Sequence, residues 1–339
     1  MIVVGCPRSG TTMLQLMLHA HPRIAVPPET RFVLAAYRQR RDFGPLEQPE
    51  RRRGLARWIV ERKQTRFADL GLAAEETVER IEAAPPTLGS ALGTVFQAYS
   101  ARFDKPRWGD KRPAYLQNLD VILRLFPDAQ IINIVRDGRD CVASLKEMPW
   151  HRQDIYTTIA AWARAADEGH RAAARLDATQ YHQLRYEDLV KDPETQLRAL
   201  CSFLDEEYHP AMAHPNEIAD VAVPAHKTWH ARTRTDVDTQ RVRSWQQRLT
   251  ADEIALCEAA LGDRLTALGY EPADVPAPRP AEMLRYRRAA ARNRLAPVWR
   301  RLRQSTDRLV PQPPVAARLT SRQLAATVGA QHSPNPVAH

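Results

Sequence analysis

The opening stretch, MIVVGCPRSGTTMLQLML, constrains the fold of this 339-residue chain more than any other. Ile2-Val3-Val4 is a short apolar run that reads as a buried strand. Gly5 to Gly10 is a loop bounded by two glycines, and from Thr11 onward apolar residues recur at helical spacing (Met13, Leu16, Met17). Strand, glycine-bounded loop, helix is the layout of a phosphate-binding loop. The glycines let the backbone turn tightly, and the N–H groups at the helix start face an anion. An ordinary βα turn with a chance pair of glycines has the same spacing, so the loop alone leaves that plainer reading open.

The spacing is close to the nucleotide-binding pattern G-x-x-x-x-G-K-[ST]. The interval from Gly5 to Gly10 fits, and Thr12 occupies the Ser/Thr position, but Thr11 stands where the lysine belongs. That lysine reaches the β- and γ-phosphates of a nucleoside triphosphate, so its replacement argues against ATP or GTP hydrolysis. The positive charge comes instead from Arg8, whose forked guanidinium suits an oxyanion.

A chain of this length can bury a large core, as one α/β domain or two smaller ones. No run of about 18 apolar residues is present, so no membrane span is indicated. The sequence enters its first strand without a basic region or long apolar run before it, and a cytoplasmic protein is the expectation. Cys6, Cys141, Cys201 and Cys257 are widely separated and form no C-x-x-C pair, which suggests neither a zinc site nor a disulfide framework. The net charge of +9 looks like a nucleic-acid signal until it is located. From Pro272 onward there are 12 arginines, no lysine and three acids, so the preceding body is neutral and the tail carries the whole excess. No specific nucleic-acid partner is expected for the body.

Further along, Ile24 to Val26 reads as a short strand, and Pro27-Pro28 as a rigid turn delivering Glu29 and Arg31 into an ordered position. Glu29 would equally serve as a solvated carboxylate at a helix start. Residues 33–104 are read as mainly helical, over Glu50–Lys63, Ala74–Ala84 and Leu88–Phe103. Trp108-Gly109-Asp110-Lys111-Arg112-Pro113 precedes a helix predicted from Tyr115 to Phe126; Lys111 has no mark that separates it from a surface lysine. Gln130–Val135 is the clearest buried strand. Arg136 follows at its C-terminal end, the edge where open parallel sheets bind ligands, with Ser144 on the next helix. There the two could hold a second phosphate, or Arg136 could pair with Asp137 or Asp140 on the surface. Helices are predicted over Ile155–Arg175 and Pro193–Phe203, with a short strand from Tyr181 to Leu184 between them. Residues 209–240 read as a long loop rich in cationic and imidazole groups (His226, Lys227, His230, Arg232, Arg234), of a kind that closes over ligands. Thr250 to Glu253 is a capping box opening a helix to Leu261. In the Pro- and Arg-rich tail, Leu295, Val298, Trp299 and Leu302 recur at helical spacing among arginines, which allows contact with an acidic lipid surface, a partner protein or solvent alone. A solvated or loosely docked tail, disordered after Pro311, is the expectation.

Loop and second strand motif, in this order, resemble the sulfotransferases that use 3′-phosphoadenosine 5′-phosphosulfate (PAPS), most specifically the branch of protein-tyrosine sulfotransferases and their bacterial relatives. Cys6-Pro7-Arg8-Ser9-Gly10-Thr11-Thr12 is similar to the family's 5′-phosphosulfate loop, and Val135 to Asp140 through Ser144 to its 3′-phosphate motif. Glu29-Thr30-Arg31 resembles the segment holding that branch's catalytic base, and Asp110-Lys111-Arg112-Pro113 the segment bearing its catalytic lysine. Arg185-Tyr186-Glu187-Asp188-Leu189 is also similar, and would place Tyr186 near the adenosine. Around Arg234 to Trp245 the family's last PAPS-contact loop is matched only loosely, and 33–104 carries no motif that aligns.

The resemblance implies a P-loop-like three-layer α/β fold, its central, mainly parallel sheet flanked by helices. It implies a sulfotransferase domain over 1–271, with 33–104 as a helical insertion on the acceptor side and 272–339 as a basic tail outside the family core. It further implies PAPS as co-substrate, bound by Arg8, Ser9, Gly10, Thr11, Thr12, Arg136, Ser144 and Tyr186. Glu29 would be the general base, with Lys111 and Arg8 stabilising developing charge and no metal required. The acceptor would be a hydroxyl on a small molecule, glycan, lipid or peptide. Two other readings stand beside this one: a nucleotide kinase or P-loop NTPase, and a non-catalytic nucleotide-binding protein held at membranes by its tail.

Overall fold

The structure, a computed structural model, describes residues 1–218, 239–306 and 314–318. Six strands are present among them: β1 (Ile2–Gly5), β2 (Ile24–Ala25), β3 (Arg107–Trp108), β4 (Asp110–Lys111), β5 (Ile131–Val135) and β6 (Tyr181–Arg185). Four form the central sheet in the order β4-β1-β5-β6, every pair parallel, while β2 and β3 pair in parallel as a separate two-stranded sheet.

The apolar runs in β1 and β5 are continuous because both faces of those strands are covered. Successive side chains point to opposite faces. Ile2, Val4 and Ile131 therefore enter one apolar cluster, and Val3, Ile132 and Ile134 the other. The result is three layers, helix–sheet–helix. The helix Thr11–Ala20 follows β1, and Gly138–Lys146 follows β5, with the Asp137 carboxylate capping the latter by accepting from the Arg139 N–H. This covers the sheet on both sides and leaves the C-terminal ends of β4, β1 and β5 side by side.

The region after the first βα unit is helical as expected, with Pro49–Glu61, Ala74–Ala83 and Leu88–Ala101 as its main helices. An aromatic chain ties it to the body: Phe32 on Phe96 at 5.2 Å, Phe96 on Trp108 at 5.1 Å and Trp108 on Phe126 at 5.4 Å between ring centres. Two elements depart from expectation. The helix predicted from Tyr115 begins as a 3₁₀ segment, Pro113–Asn118, and becomes α-helical only over Leu119–Leu125. Lys111 lies in a true strand, because pairing with β1 satisfies a stretch whose sequence carries no strand signal.

Pro210–Ala213 and Pro215–Ile218 form short 3₁₀ turns. His226, Lys227, His230, Arg232 and Arg234 lie outside the described residues. The tail is more closely attached than its composition suggests. The helix Pro280–Thr306 packs along Ile155–Arg175, with Tyr286 and Ala289 buried beneath it. Beyond Pro311, the expected start of disorder, Pro314–Arg318 lies against the start of the helix Leu88–Ala101. The Leu88 N–H donates to the Pro314 carbonyl at 3.1 Å and that of Gly89 to the Val315 carbonyl at 2.7 Å, and the Ala317 N–H donates to the Leu125 carbonyl at 2.7 Å. All four cysteines are free and buried.

Candidate active site

The loop between β1 and its helix needs both of its glycines. Gly10 adopts φ +95°, and a Cβ there would sit 2.6 Å from the Tyr186 ring; at Gly5 it would sit 2.5 Å from the Ile134 carbonyl oxygen. Arg8 takes a left-handed backbone with φ 72°, which costs a side-chain-bearing residue roughly 1–2 kcal/mol. Ser9 braces the turn: it is buried, and its hydroxyl donates to the Cys6 carbonyl at 2.7 Å. The helix that follows starts at Thr11 with no side-chain cap and no acid in its first turn. Its first N–H groups therefore have no carboxylate of the first turn to meet, an arrangement that suits a bound anion.

At one end of this loop, Glu29, Lys111 and Thr12 converge. Lys111 is buried on β4, its Nζ 3.6 Å from Glu29 Oε2 and donating to Thr12 Oγ1 at 3.4 Å. Burial lowers its pKa, against the opposing pull of Glu29 and Asp110. Glu29 keeps part of its carboxylate accessible, with its side chain 30% exposed. The Pro27-Pro28 turn that delivers it is pinned: Gln15 Nε2 donates to the Pro27 carbonyl at 2.8 Å, and the Val26 N–H to His19 Nδ1 at 3.1 Å. Beneath Lys111, Asp110 is wholly buried. It accepts from the Tyr115 hydroxyl at 2.5 Å and from the Lys111 N–H at 2.8 Å, and burial pushes its pKa up to about 6.

Beside the loop's opposite end lies a second cluster. Arg8 Nε donates to Ser144 Oγ at 3.0 Å, and Arg136 donates from Nη1 to the Arg8 carbonyl at 3.0 Å and from Nη2 to the Arg241 carbonyl at 2.7 Å. The Arg136 guanidinium stacks 4.4 Å from the centre of the Tyr186 ring, the same ring that fills the space beside Gly10. Its Nε is buried without a hydrogen-bond partner. Surface pairing of Arg136 is not what the fold produces. Arg136 is buried and Asp137 is taken by Arg139 at 2.7 Å; the pairing that forms is an internal one, Arg136 Nη2 with the buried Asp140 Oδ2 at 3.9 Å. The Arg8 pKa is lowered by burial and then by Arg136, with Arg241 and Arg248 adding to the effect. Such a concentration of guanidinium charge is relieved by an anion.

The two clusters share one loop, and the C-terminal ends of β4, β1 and β5 carry them, where open parallel sheets bind ligands. Arg8, Ser9, Gly10, Thr11, Thr12, Lys111, Arg136, Ser144 and Tyr186 are thus in or against that loop or the helix start that follows it, and Glu29 joins them through Lys111. Reading the sequence missed Asp110 and Tyr115, a buried pair whose only trace is an acid and a tyrosine flanking Lys111. It placed the segment after residue 234 only loosely. There Ser244 Oγ and the Trp245 N–H both donate to Asp140 Oδ1 at 2.8 Å, returning the chain to the second cluster. Among the described residues, no group of three His, Cys, Asp or Glu side chains is placed to hold a metal ion.

The model of the Sulfotransferase family matches residues 1–210. The chain belongs to the sulfotransferase family. Among curated proteins it is similar to the protein-tyrosine sulfotransferase of Drosophila melanogaster, at 25% identity over 284 residues, covering 79% of this chain and 51% of that one. It is also similar to the nodulation protein NoeE of Sinorhizobium fredii, at 27% identity over 293 residues, covering 79% of this chain and 65% of that protein. This chain thus spans about half the length of the fly relative. In fold it is similar to the sulfotransferase domain of the curacin biosynthetic pathway (TM-score 0.55, 19% identity, 80% of this chain and 98% of that one). The sulfotransferase domain of the Synechococcus PCC 7002 olefin synthase is comparable (TM-score 0.56, 20% identity, 80% and 94%). Family membership, with Thr11 in the lysine position, sets the nucleotide-kinase reading aside.

Proposed function

We propose that this chain transfers the sulfuryl group of PAPS to an acceptor hydroxyl. The observation that carries this is the bond from Arg136 Nη1 to the Arg8 carbonyl at 3.0 Å. It joins a helix N-terminus open to one anion and an arginine cluster open to another within reach of a single ligand. A nucleotide with phosphate groups at its 5′ and 3′ ends satisfies both, whereas ATP leaves the arginine cluster without an anion.

In this reading the loop amides, with Thr11 and Thr12, hold the 5′-phosphosulfate, and Arg136 with Ser144 the 3′-phosphate; Tyr186 lies between them against the nucleoside. Arg8 spans the two, its backbone in the loop and its guanidinium on Ser144. Glu29 takes the proton of the acceptor hydroxyl. The acceptor oxygen forms its bond to sulfur as the bond from sulfur to the 5′-phosphate oxygen breaks, leaving 3′,5′-ADP. Lys111 and Arg8 stabilise charge on the bridging and sulfuryl oxygens, a task for which their fixed positive charges require no metal. The acceptor class stays broad: a tyrosine in a peptide, a sugar, a lipid headgroup or a phenol each offers the hydroxyl.

Calorimetric titration with 3′,5′-ADP and with ATP tests the donor. Tight binding of 3′,5′-ADP and weak binding of ATP is expected; the reverse order would overturn the proposal. A non-catalytic nucleotide-binding role predicts the same titration but no transfer. Mass spectrometry of peptide, glycan and phenol panels incubated with PAPS, scored for gain of one sulfuryl group, separates the two.

A further inference from the structure

We infer that the outward face of the helix Pro280–Thr306 docks the protein on an anionic lipid surface. Between Pro280 and Leu295 this helix turns one face inward: Tyr286 and Ala289 are buried, and Met283 and Ala290 pack against the core. On the opposite side lie Leu284 and Leu295, exposed at 49% and 55% and two of the three large apolar side chains described as exposed in the chain.

Their spacing is the decisive point. At about 100° per residue, positions 284, 291 and 295 fall within roughly 40° of one another, so Leu284, Ala291 and Leu295 make one stripe. Arg287 and Arg294 flank that stripe on one side, Arg285 and Arg292 on the other, and Arg288 lies beside it. Arg285 pairs with Glu282, the one carboxylate in the helix through Leu295. Arg287 and Arg288 form no ion pair among the described residues, while Arg292 lies close enough to Asp154 to add to the pKa lowering that hydrogen bonds from Thr157 produce there, and Arg294 lines the groove beside Tyr286 and Asp167. A helix that exposes an apolar stripe rimmed by arginines on both flanks matches a membrane interface. The leucines enter the acyl boundary, and the guanidinium groups reach the phosphates and carboxylates of the headgroups while their stems cover the edges of the stripe. A folded nucleic acid would use the arginines but gives the two leucines nothing to bury against. No helix among the described residues is long and apolar enough to cross a membrane, so the contact is a surface one. The sequence carries the same spacing onward in Val298, Trp299 and Leu302.

Co-sedimentation of the full chain with vesicles decides it. We expect binding to phosphatidylcholine vesicles containing phosphatidylserine, little to phosphatidylcholine alone, and loss of binding as salt rises. Leu284→Ser with Leu295→Ser lies outside the proposed donor site. It should weaken vesicle binding by at least tenfold, with circular dichroism and 3′,5′-ADP binding unchanged. Each exposed Arg→Gln change should weaken binding roughly fivefold. Vesicle binding that ignores both leucines would overturn the inference, as would tighter binding to duplex DNA than to anionic vesicles; either result would make the face a general polyanion site. Because 3′,5′-ADP binding is read separately, these failures would leave the donor proposal untouched.

Discussion

The two ends of the phosphate loop are built on opposite electrostatic plans. At the Thr12 end a lysine and a carboxylate face each other at 3.6 Å, so each offsets the other's charge. At the Arg8 end two guanidinium groups, those of Arg8 and Arg136, have one ion-paired acid between them, Asp140 at 3.9 Å from Arg136 and already accepting from Ser244 and the Trp245 N–H, so positive charge is left in excess. A balanced pair suits proton transfer and transient charge. An unbalanced cluster suits holding a permanent anion. In the proposed function proton transfer belongs to the first and affinity to the second, with Arg8 contributing to both, and variants at the two ends should fail in different ways.

The largest effect falls at the balanced end. Glu29→Gln keeps the shape and removes the base, so turnover should drop by about 10²–10⁴-fold while affinity for 3′,5′-ADP stays within a few-fold. Single-turnover rates alongside calorimetry check it. Wild-type turnover in a folded Glu29→Gln protein would end the division of labour.

Arg8→Ala attacks the other end. Loss of a charge-assisted contact of about 1.5–3 kcal/mol should weaken 3′,5′-ADP binding by roughly ten- to a hundredfold. The affinity should also lose part of its salt dependence. If turnover at saturating PAPS fell as far as in Glu29→Gln with affinity unchanged, Arg8 would belong to the chemistry alone.

How much of this was legible in the sequence follows from the same contrast. The loop was legible because it is local: strand, glycines and helix start occur within a dozen residues, and both glycines are imposed by close neighbours. Arg136 was legible as a residue ending the clearest apolar run. The pairing of Glu29 with Lys111 depends on β4, two residues long and held by its register against β1, and nothing in Trp108–Pro113 announces a strand. It was reached by resemblance rather than by pattern. Asp110 escaped because one buried acid looks like any other in sequence, and only its complete burial against Tyr115 marks it. The tail misled in the opposite sense. Prolines and arginines suggested a free segment, yet a helix of alanine, tyrosine and methionine on one face still finds a surface to pack on.

Asp110 sharpens the picture of the balanced end through pH. Its folded pKa, about 6, lies above its ordinary value of 3.8, so the folded state binds the proton more tightly than the unfolded chain. Its contribution to stability is greatest below about pH 4 and is lost as pH rises to about 6. Asp110→Asn cannot ionise: its one amide oxygen keeps the bond from the Lys111 N–H, and its NH2 donates to the Tyr115 hydroxyl oxygen. Melting curves should show the variant gaining a few degrees on the wild type between pH 4 and pH 7. A constant difference across that range would show that Asp110 is not held protonated by its burial.

The smallest effect belongs to Ser144. Its hydroxyl accepts from Arg8 Nε at 3.0 Å, so Ser144→Ala removes a hydroxyl that orients a guanidinium and, in the proposed function, reaches the 3′-phosphate, but no charge. About 1 kcal/mol is at stake, or roughly a fivefold loss in 3′,5′-ADP affinity. The informative measurement is the double variant. If Ser144 acts only by aiming Arg8, its loss costs nothing once Arg8 is alanine, and Arg8→Ala with Ser144→Ala should bind no more weakly than Arg8→Ala alone. Additive losses would mean that each side chain meets the anion separately, and that the cluster is a set of independent contacts rather than one cradle set in place by the loop.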